Sequence, residues 1–348
     1  MSEEHAARRQ QRHASRRALE QRRPDLVLEG ADLATHRWLR DVQALRGAPD
    51  VPFLGDGDEV ADLGEAHAAI VTVVSEKINP DQNGIGRALP ACGTKRPMSI
   101  EILSPTQIQR MRRAGRAAAE TLWFVGERLR PGMSTGDIDR LVREDTARRG
   151  GHPSQLGYQG FPAAVCTSRN HVVCHGIPNE RERLEPGDIV NIDVTTKLDG
   201  YHGDTSAMFV IGEASADARR IVDIARRCRD AGIAVIRDGA RLGDIGAAIE
   251  EIARKEGVGV VTEVGGHGIG RHMHAEPHVR HTGRRGTGMR LKAGMALTVE
   301  PMLNLGGPSV RTLDDGWTMV TADGSLSAQW EHTVVVTREG HEIMTMRP

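Results

Sequence analysis

Two stretches of the chain, 107 residues apart, repeat each other. RPGMSTGDIDRLVREDTARRGG from Arg130 and RDGARLGDIGAAIEEIARKEGV from Arg237 carry Arg, Gly and Gly-Asp-Ile at matching offsets, and each runs through helical text to a glycine. Polar, Gly-rich text holding His-Gly-Ile follows both, at His175 to Ile177 and at His267 to Ile269. A chain built this way is expected to fold as two related αβ halves that share the strands DIVNIDVTTKL, ALTVEP and SAQWEHTVVVT. That is an α+β domain with an antiparallel sheet and pseudo-two-fold symmetry, and a site made by both halves lies between them.

The N-terminal 97 residues differ in character. They open on an Arg-rich stretch (Arg8, Arg9, Arg12, Arg16, Arg17, Arg22, Arg23) and hold little periodicity beyond a candidate helix near 31–46 and a candidate strand, AAIVTVV, at 68–74. This composition predicts a largely disordered extension over 1–97, whose basic patch would be solvated or contact ribosomal RNA. A compact catalytic domain over 98–348 begins near Met98, the candidate true start. Ser104, Pro105 and Gln107 form the start signal of a helix, and Ile108, Met111, Ala118, Leu122, Val125 and Leu129 recur at its period.

The totals exclude several classes of function. With 46 Lys and Arg against 47 Asp and Glu, the chain has no charge excess directing it to DNA. Four cysteines without CxxC spacing suggest neither a zinc ribbon nor a disulfide framework. The longest apolar run is too short to span a bilayer, and no signal-peptide core follows the first charges. The expectation is a soluble, cytoplasmic monomer.

Within this frame, acids and an imidazole interrupt text that otherwise reads as apolar strand: Asp193, Asp204, His274, Glu300 and Glu331. Four carboxylates converging in a low-dielectric cleft repel one another and are driven to protonate. Two divalent cations cancel their four charges. The oxygen-rich donor set with one imidazole suits Mn²⁺, Fe²⁺, Co²⁺ or Zn²⁺ rather than a thiolate-loving metal, and two such ions can share a hydroxide. His272 and His274 fall on one face of a predicted strand, so spacing does not choose between them.

From about Met98 to the C-terminus, the ordered motifs GYQGFPAAVCTSRNHVVCHGIP, GDIVNIDV, YHGDTSAMF, GGHGIGRHMHAEPHVRH, TVEPMLNLG and DDGWTMVTADGSLSAQWEHTVVVT resemble the type I methionine aminopeptidases of the pita-bread metallopeptidase fold. The resemblance implies metal ligation by Asp193, Asp204, His274, Glu300 and Glu331. Asp204 and Glu331 would bridge two ions, Asp193 would chelate one, and His274 with Glu300 would complete the other. It also implies that His175 and His281 contact the scissile peptide, that Glu300 shuttles the proton, and that Tyr158, Phe161, Cys166 and Trp317 line the methionine pocket. The implied reaction is removal of N-terminal methionine from nascent polypeptides with a small second residue, by a metal-bridged hydroxide.

Gln155 stands where the family usually has a small residue or Cys, Arg280 where an apolar side chain is common, and Trp330 in place of Phe or Tyr. A charge at Arg280, read as near the pocket mouth, would alter preference for the second residue. Two other readings are an X-Pro aminopeptidase or prolidase, which shares the ligands, and a pita-bread binding protein without catalysis, which would lack some of them. GGHGIG fits neither a P-loop nor G-x-G-x-x-G.

Overall fold

The computed structural model describes residues 100–348. The expected extension over 1–97, with its helix near 31–46 and strand at 68–74, and the domain start at Met98 lie outside the described residues.

Helix α1 (Pro105–Gly126) begins as its sequence dictates. The Ser104 hydroxyl accepts the Gln107 N–H at 3.4 Å, and the Gln107 side chain accepts the Ser104 N–H at 2.8 Å. Pro105 occupies the first helical position, where its missing N–H costs nothing. Met111, Ala114, Ala118, Leu122 and Val125 are buried along one face, and each large apolar side chain there stabilises by about 1.5–3 kcal/mol.

The internal repeat is real in three dimensions. Helices α2 (Thr135–Arg148), α3 (Ala216–Ala234) and α4 (Leu242–Glu256) follow α1, with α2 and α4 as the repeated pair. Asp137 accepts the Ser134 N–H at 2.8 Å, and Asp244 accepts the Arg241 N–H at the same distance. Gly132 N–H donates to Leu184 O and Leu184 N–H to Met133 O; Gly239 N–H donates to Leu291 O and Leu291 N–H to Ala240 O. Arg183 and Arg290 likewise donate to Gly132 O and Gly239 O. Every partner moves by the same 107 residues, and that offset carries Asp193 onto Glu300.

The strand pairings of the described residues are all antiparallel. The Asp193 strand (Ile189–Leu198) pairs along its whole length with the Asp204 strand (Tyr201–Val210). On its other edge lie His152–Pro153 and Cys166–Arg169, end to end. A five-stranded sheet in the second half runs in the order His341–Ile343, His332–Val336, Ala296–Val299, Gly266–Gly268, Ala275–Val279. Gly203 lets α1 cross this framework closely, since a Cβ there would sit 2.4 Å from the backbone of Gly115.

Two of the expected strands are each broken into two. ALTVEP continues past Glu300 and Pro301 into a separate strand, Met302–Asn304, and SAQWEHTVVVT divides into Ser327–Gln329 and His332–Val336. The outer pieces pair with each other in the five-stranded sheet, His332 opposite Val299, and the inner pieces pair in another, Met302 opposite Gln329. Pro301 has no N–H to continue a ladder, and the Glu331 N–H leaves its own ladder for Ser206 O at 3.1 Å. Glu300 and Glu331 therefore sit opposite each other where the chain passes between sheets.

Each half has its own apolar core. Leu122, Val125, Ile138 and Val142 pack on Val190, Ile192 and Val194; Ile221, Ile224, Ile245 and Ile249 pack on Leu297, Val299 and Val334. Trp330 touches both clusters and donates its indole N–H to Val222 O at 3.1 Å. Its neighbour Glu331 is thereby fixed at the seam of the halves.

Candidate metal centre and side-chain pocket

Four carboxylates meet at that seam, each delivered by a different strand or strand break. Asp204 and Glu331 are 5% and 2% exposed. Three of the acids are held by polar neighbours: Gln155 Nε2 donates to Asp193 Oδ1 at 3.3 Å, Thr195 Oγ1 to Asp204 Oδ1 at 2.7 Å, and Thr298 Oγ1 and Gln329 Nε2 to the two oxygens of Glu300 at 2.7 and 3.2 Å. Glu331 Oε1 is buried without a hydrogen-bond partner.

Burial without compensating charge is written into the protonation of the cluster. Burial pushes Glu300 up to about 8, with repulsion from Asp204 adding to it, and Asp204 up to about 6. Burial, and then repulsion from the neighbouring acids, holds Asp193 and Glu331 well above the usual carboxylate range. Divalent cations reverse that logic by favouring the ionised oxygens. The orphaned Glu331 oxygen and the oxygen-rich donor set fit such ions.

The imidazole nearest the acids is His267. Its Nε2 lies 3.7 Å from Asp204 Oδ2 and 3.5 Å from Glu300 Oε1, and one ligand atom each from Asp204, His267 and Glu331 lie within 4.8 Å of one another. His267 Nδ1 faces Gly268 O at 3.0 Å, which leaves Nε2 aimed at the acids. Its flanking glycines are required by packing: a Cβ on Gly266 would lie 2.4 Å from Thr298 O, and one on Gly268 2.1 Å from Glu276 O. Burial, then the His274 ring, lowers the His267 pKa to about 3, so this imidazole is neutral and free to donate a lone pair.

His274, expected as a ligand, lines the same cleft as Asp193 and Glu300. His274 stands one ring further out, 4.2 Å between centroids from His267, with Nδ1 2.8 Å from the Tyr158 hydroxyl. It precedes the strand Ala275–Val279 in a bent segment, so the supposed shared face with His272 does not exist. His281, expected at the scissile peptide, lies directly behind Glu300. His281 is 2% exposed behind the cluster, where its Nε2 accepts the Glu300 N–H at 3.2 Å, and it lines neither cavity of the cleft. His175 does face the cleft, in a left-handed backbone conformation with φ 55°; such strain costs on the order of 1–3 kcal/mol and collects at functional positions.

Beside the acids lies a cavity of about 290 Å³ whose walls include Tyr158, Phe161, Cys166, Met273 and Trp317. Phe161 and Trp317 meet edge to face at 5.1 Å. The four pocket residues singled out from sequence are brought together, and Met273 and Gln155 join them. A second, more open cavity of about 430 Å³ shares His175, Asp193, His267, His274 and Glu300 and leads outward past Glu276 and His278. Arg280 lines neither directly; it is exposed in a groove with Leu242 and Thr287 that adjoins the outer cavity at Glu276 and His278.

Sequence reasoning did not single out His267, although its setting was visible in GGHGIG, where a histidine sits between glycines that packing will not let grow. It also missed Thr195, Thr298 and Gln329, whose contacts exist only once the strands are paired.

Residues 109–338 match the sequence model of metallopeptidase family M24. The chain is similar to the methionine aminopeptidase of Escherichia coli K12, 47% identical over 251 residues that cover 72% of this chain and 95% of the relative. Methionine aminopeptidase B of Synechocystis is 49% identical over 252 residues, covering 71% and 92%. The crystal structure of methionine aminopeptidase from Rickettsia prowazekii superimposes with a TM-score of 0.70 at 46% identity, over 71% of this chain and 100% of that one. Prolidase from Pyrococcus furiosus, at 19% identity and a TM-score of 0.57, shares the fold alone.

Proposed function

Because the chain belongs to metallopeptidase family M24, we propose that it removes the N-terminal methionine from nascent polypeptides and peptides whose second residue is small. The observation that supports this most is the junction of the acid cluster with an apolar cavity of about 290 Å³, the right size and lining for one unbranched thioether side chain. The X-Pro reading is disfavoured, since prolidases resemble the chain only in fold while methionine aminopeptidases match it at 31–49% identity.

Divalent-metal binding follows from family membership; the count of two ions and their identity, among Mn²⁺, Fe²⁺, Co²⁺ and Zn²⁺, are part of the proposal. Asp193, Asp204, His274, Glu300 and Glu331 would hold them, and when bound they would supply Lewis-acid polarisation of the peptide carbonyl and a nucleophile at neutral pH.

The chain's own residues do the rest. Tyr158, Phe161, Cys166 and Trp317 wrap the methionine side chain and exclude water from it, with ring edges and sulfur against the thioether. His175, on the wall shared by both cavities, orients the scissile peptide through its ring nitrogens. Tyr158 fixes the His274 ring by the 2.8 Å contact at Nδ1. Glu300 carries the proton to the departing amine nitrogen, its carboxyl aimed by Thr298 and Gln329. His281 holds the Glu300 backbone from behind.

The wider setting is also part of the proposal: a monomeric catalytic domain over 98–348 working in the cytoplasm, with the Arg-rich N-terminal stretch touching the ribosome. No described helix is long and apolar enough to cross a membrane. The test of function is release from Met-Ala-Ser against Ala-Pro-Ala by the full chain reconstituted with Mn²⁺. Methionine release is expected, and cleavage of Ala-Pro-Ala alone would overturn the reading.

A further inference from the structure

The Asp193 strand is paired on one edge by two short pieces with a gap between them. His152–Pro153 covers Lys197 and Thr196, and Cys166–Arg169 starts at Asp193. Ser154 still donates its N–H to Thr195 O at 2.8 Å, and residues 155–165, which carry Tyr158 and Phe161 into the pocket, leave the edge there. The side chain of Gln155, 6% exposed, fills the gap. Its Oε1 accepts the Thr195 N–H at 3.2 Å, and its Nε2 donates to the Asp193 carbonyl at 2.9 Å as well as to the Asp193 carboxylate at 3.3 Å. One amide thus imitates a strand residue, offering one acceptor and one donor to the ladder, and spends its remaining donor on a functional carboxylate. The same side chain lines the pocket, 4.0 Å from Cys166 Sγ.

A small residue at this position fills none of these roles, so the coupling belongs to this chain's glutamine. We propose that Gln155 is a positioning residue that ties the loop walling the side-chain pocket to the strand presenting Asp193, so that pocket shape and Asp193 orientation are set together. The proposal rests on the functional reading above. Its physical content is that one substitution moves two quantities measured at different places: binding at the acid cluster and recognition in the pocket.

The test replaces Gln155 by leucine, which keeps the length and removes all three hydrogen bonds. Metal-free full-length protein is titrated with Mn²⁺ by calorimetry, and kcat and KM are measured on Met-Ala-Ser. Gln155→Leu is expected to weaken Mn²⁺ binding on the order of tenfold, as loss of a ligand-orienting hydrogen bond does, and to raise KM in the same variant. A merely structural glutamine would lower the unfolding temperature and leave both quantities within about twofold; that result, or movement of only one of them, overturns the coupling. Should Gln155→Leu not fold, Gln155→Asn, whose amide is one methylene short of its partners, is measured and judged in the same way. The calorimetry needs no turnover, so a parent protein that fails to cleave Met-Ala-Ser defeats the functional reading while this test still stands.

Discussion

His267 Nε2 points at Asp204 Oδ2 across 3.7 Å, and the neighbouring His274 ring turns its Nδ1 to Tyr158 instead. That contact leaves Nε2 as the free ring nitrogen of His274. His274→Ala is expected to weaken divalent-metal binding by at least about tenfold, and His267→Ala to weaken it less. Metal content after dialysis, measured beside kcat, separates them; greater metal loss in His267→Ala would put that ring, and not His274, in the ligand shell.

Removing metal should make stability strongly pH-dependent. Glu300 and Asp204 have folded pKa values raised to about 8 and about 6, above their ordinary values of 4.5 and 3.8. At these two carboxyls the metal-free folded state holds protons that the unfolded state has released, so their contribution to stability falls as pH rises from about 4 toward 8, by at most about 1.4 kcal/mol per proton per pH unit; the buried His267, His274 and His281, lowered to about 3, about 4 and about 3 from 6.5, act in the opposite sense only below about pH 6.5. Bound cations replace those protons. The unfolding-temperature gap between metal-loaded and chelated protein is expected to widen from pH 5 to pH 8; a gap that narrows would contradict the electrostatic account.

Trp317 is the pocket wall that can be removed with least damage to the core, because Phe161 behind it is only 3% exposed. Trp317→Ala should raise KM for Met-Ala-Ser roughly tenfold or more with a smaller change in kcat. An unchanged KM would mean that the thioether binds elsewhere.

At Gly203 the close crossing of α1 leaves no space for a methyl group, with Gly115 backbone 2.4 Å from the would-be Cβ. Gly203→Ala is expected to destabilise by about 1–3 kcal/mol, the usual cost of overpacking, seen as a lowered midpoint in urea. Because Asp204 is the next residue, metal affinity should fall with it.

The acids were legible in the sequence because a carboxylate inside an apolar strand has an energetic cost that can be read without coordinates, and four together have one common remedy. The repeat was legible for a similar reason: Gly132 and Gly239 with their flanking Arg and Gly-Asp-Ile mark backbone turns that only one geometry satisfies. The choice among imidazoles was not legible from spacing: His267, His272, His274, His278 and His281 crowd into fifteen residues, and the chain bends before Ala275, so strand alternation does not sort them. The breaks after Glu300 and Gln329 were equally hidden, since each piece finds its partner in a different sheet. Arg280 and Gln155 both stood out as departures in sequence; Arg280 lines a groove that adjoins the outer cavity at Glu276 and His278, and Gln155 sits against Asp193.

The central claim is that the buried acids act through bound metal, and Asp204 is the residue on which it turns. The decisive measurement is methionine release from Met-Ala-Ser by metal-free full-length protein as Mn²⁺ is added, run in parallel on Asp204→Asn. The account predicts release that rises with metal and saturates in the parent, and almost none at any metal concentration in Asp204→Asn. Release that persists in the chelated parent, or that survives in Asp204→Asn, would contradict it.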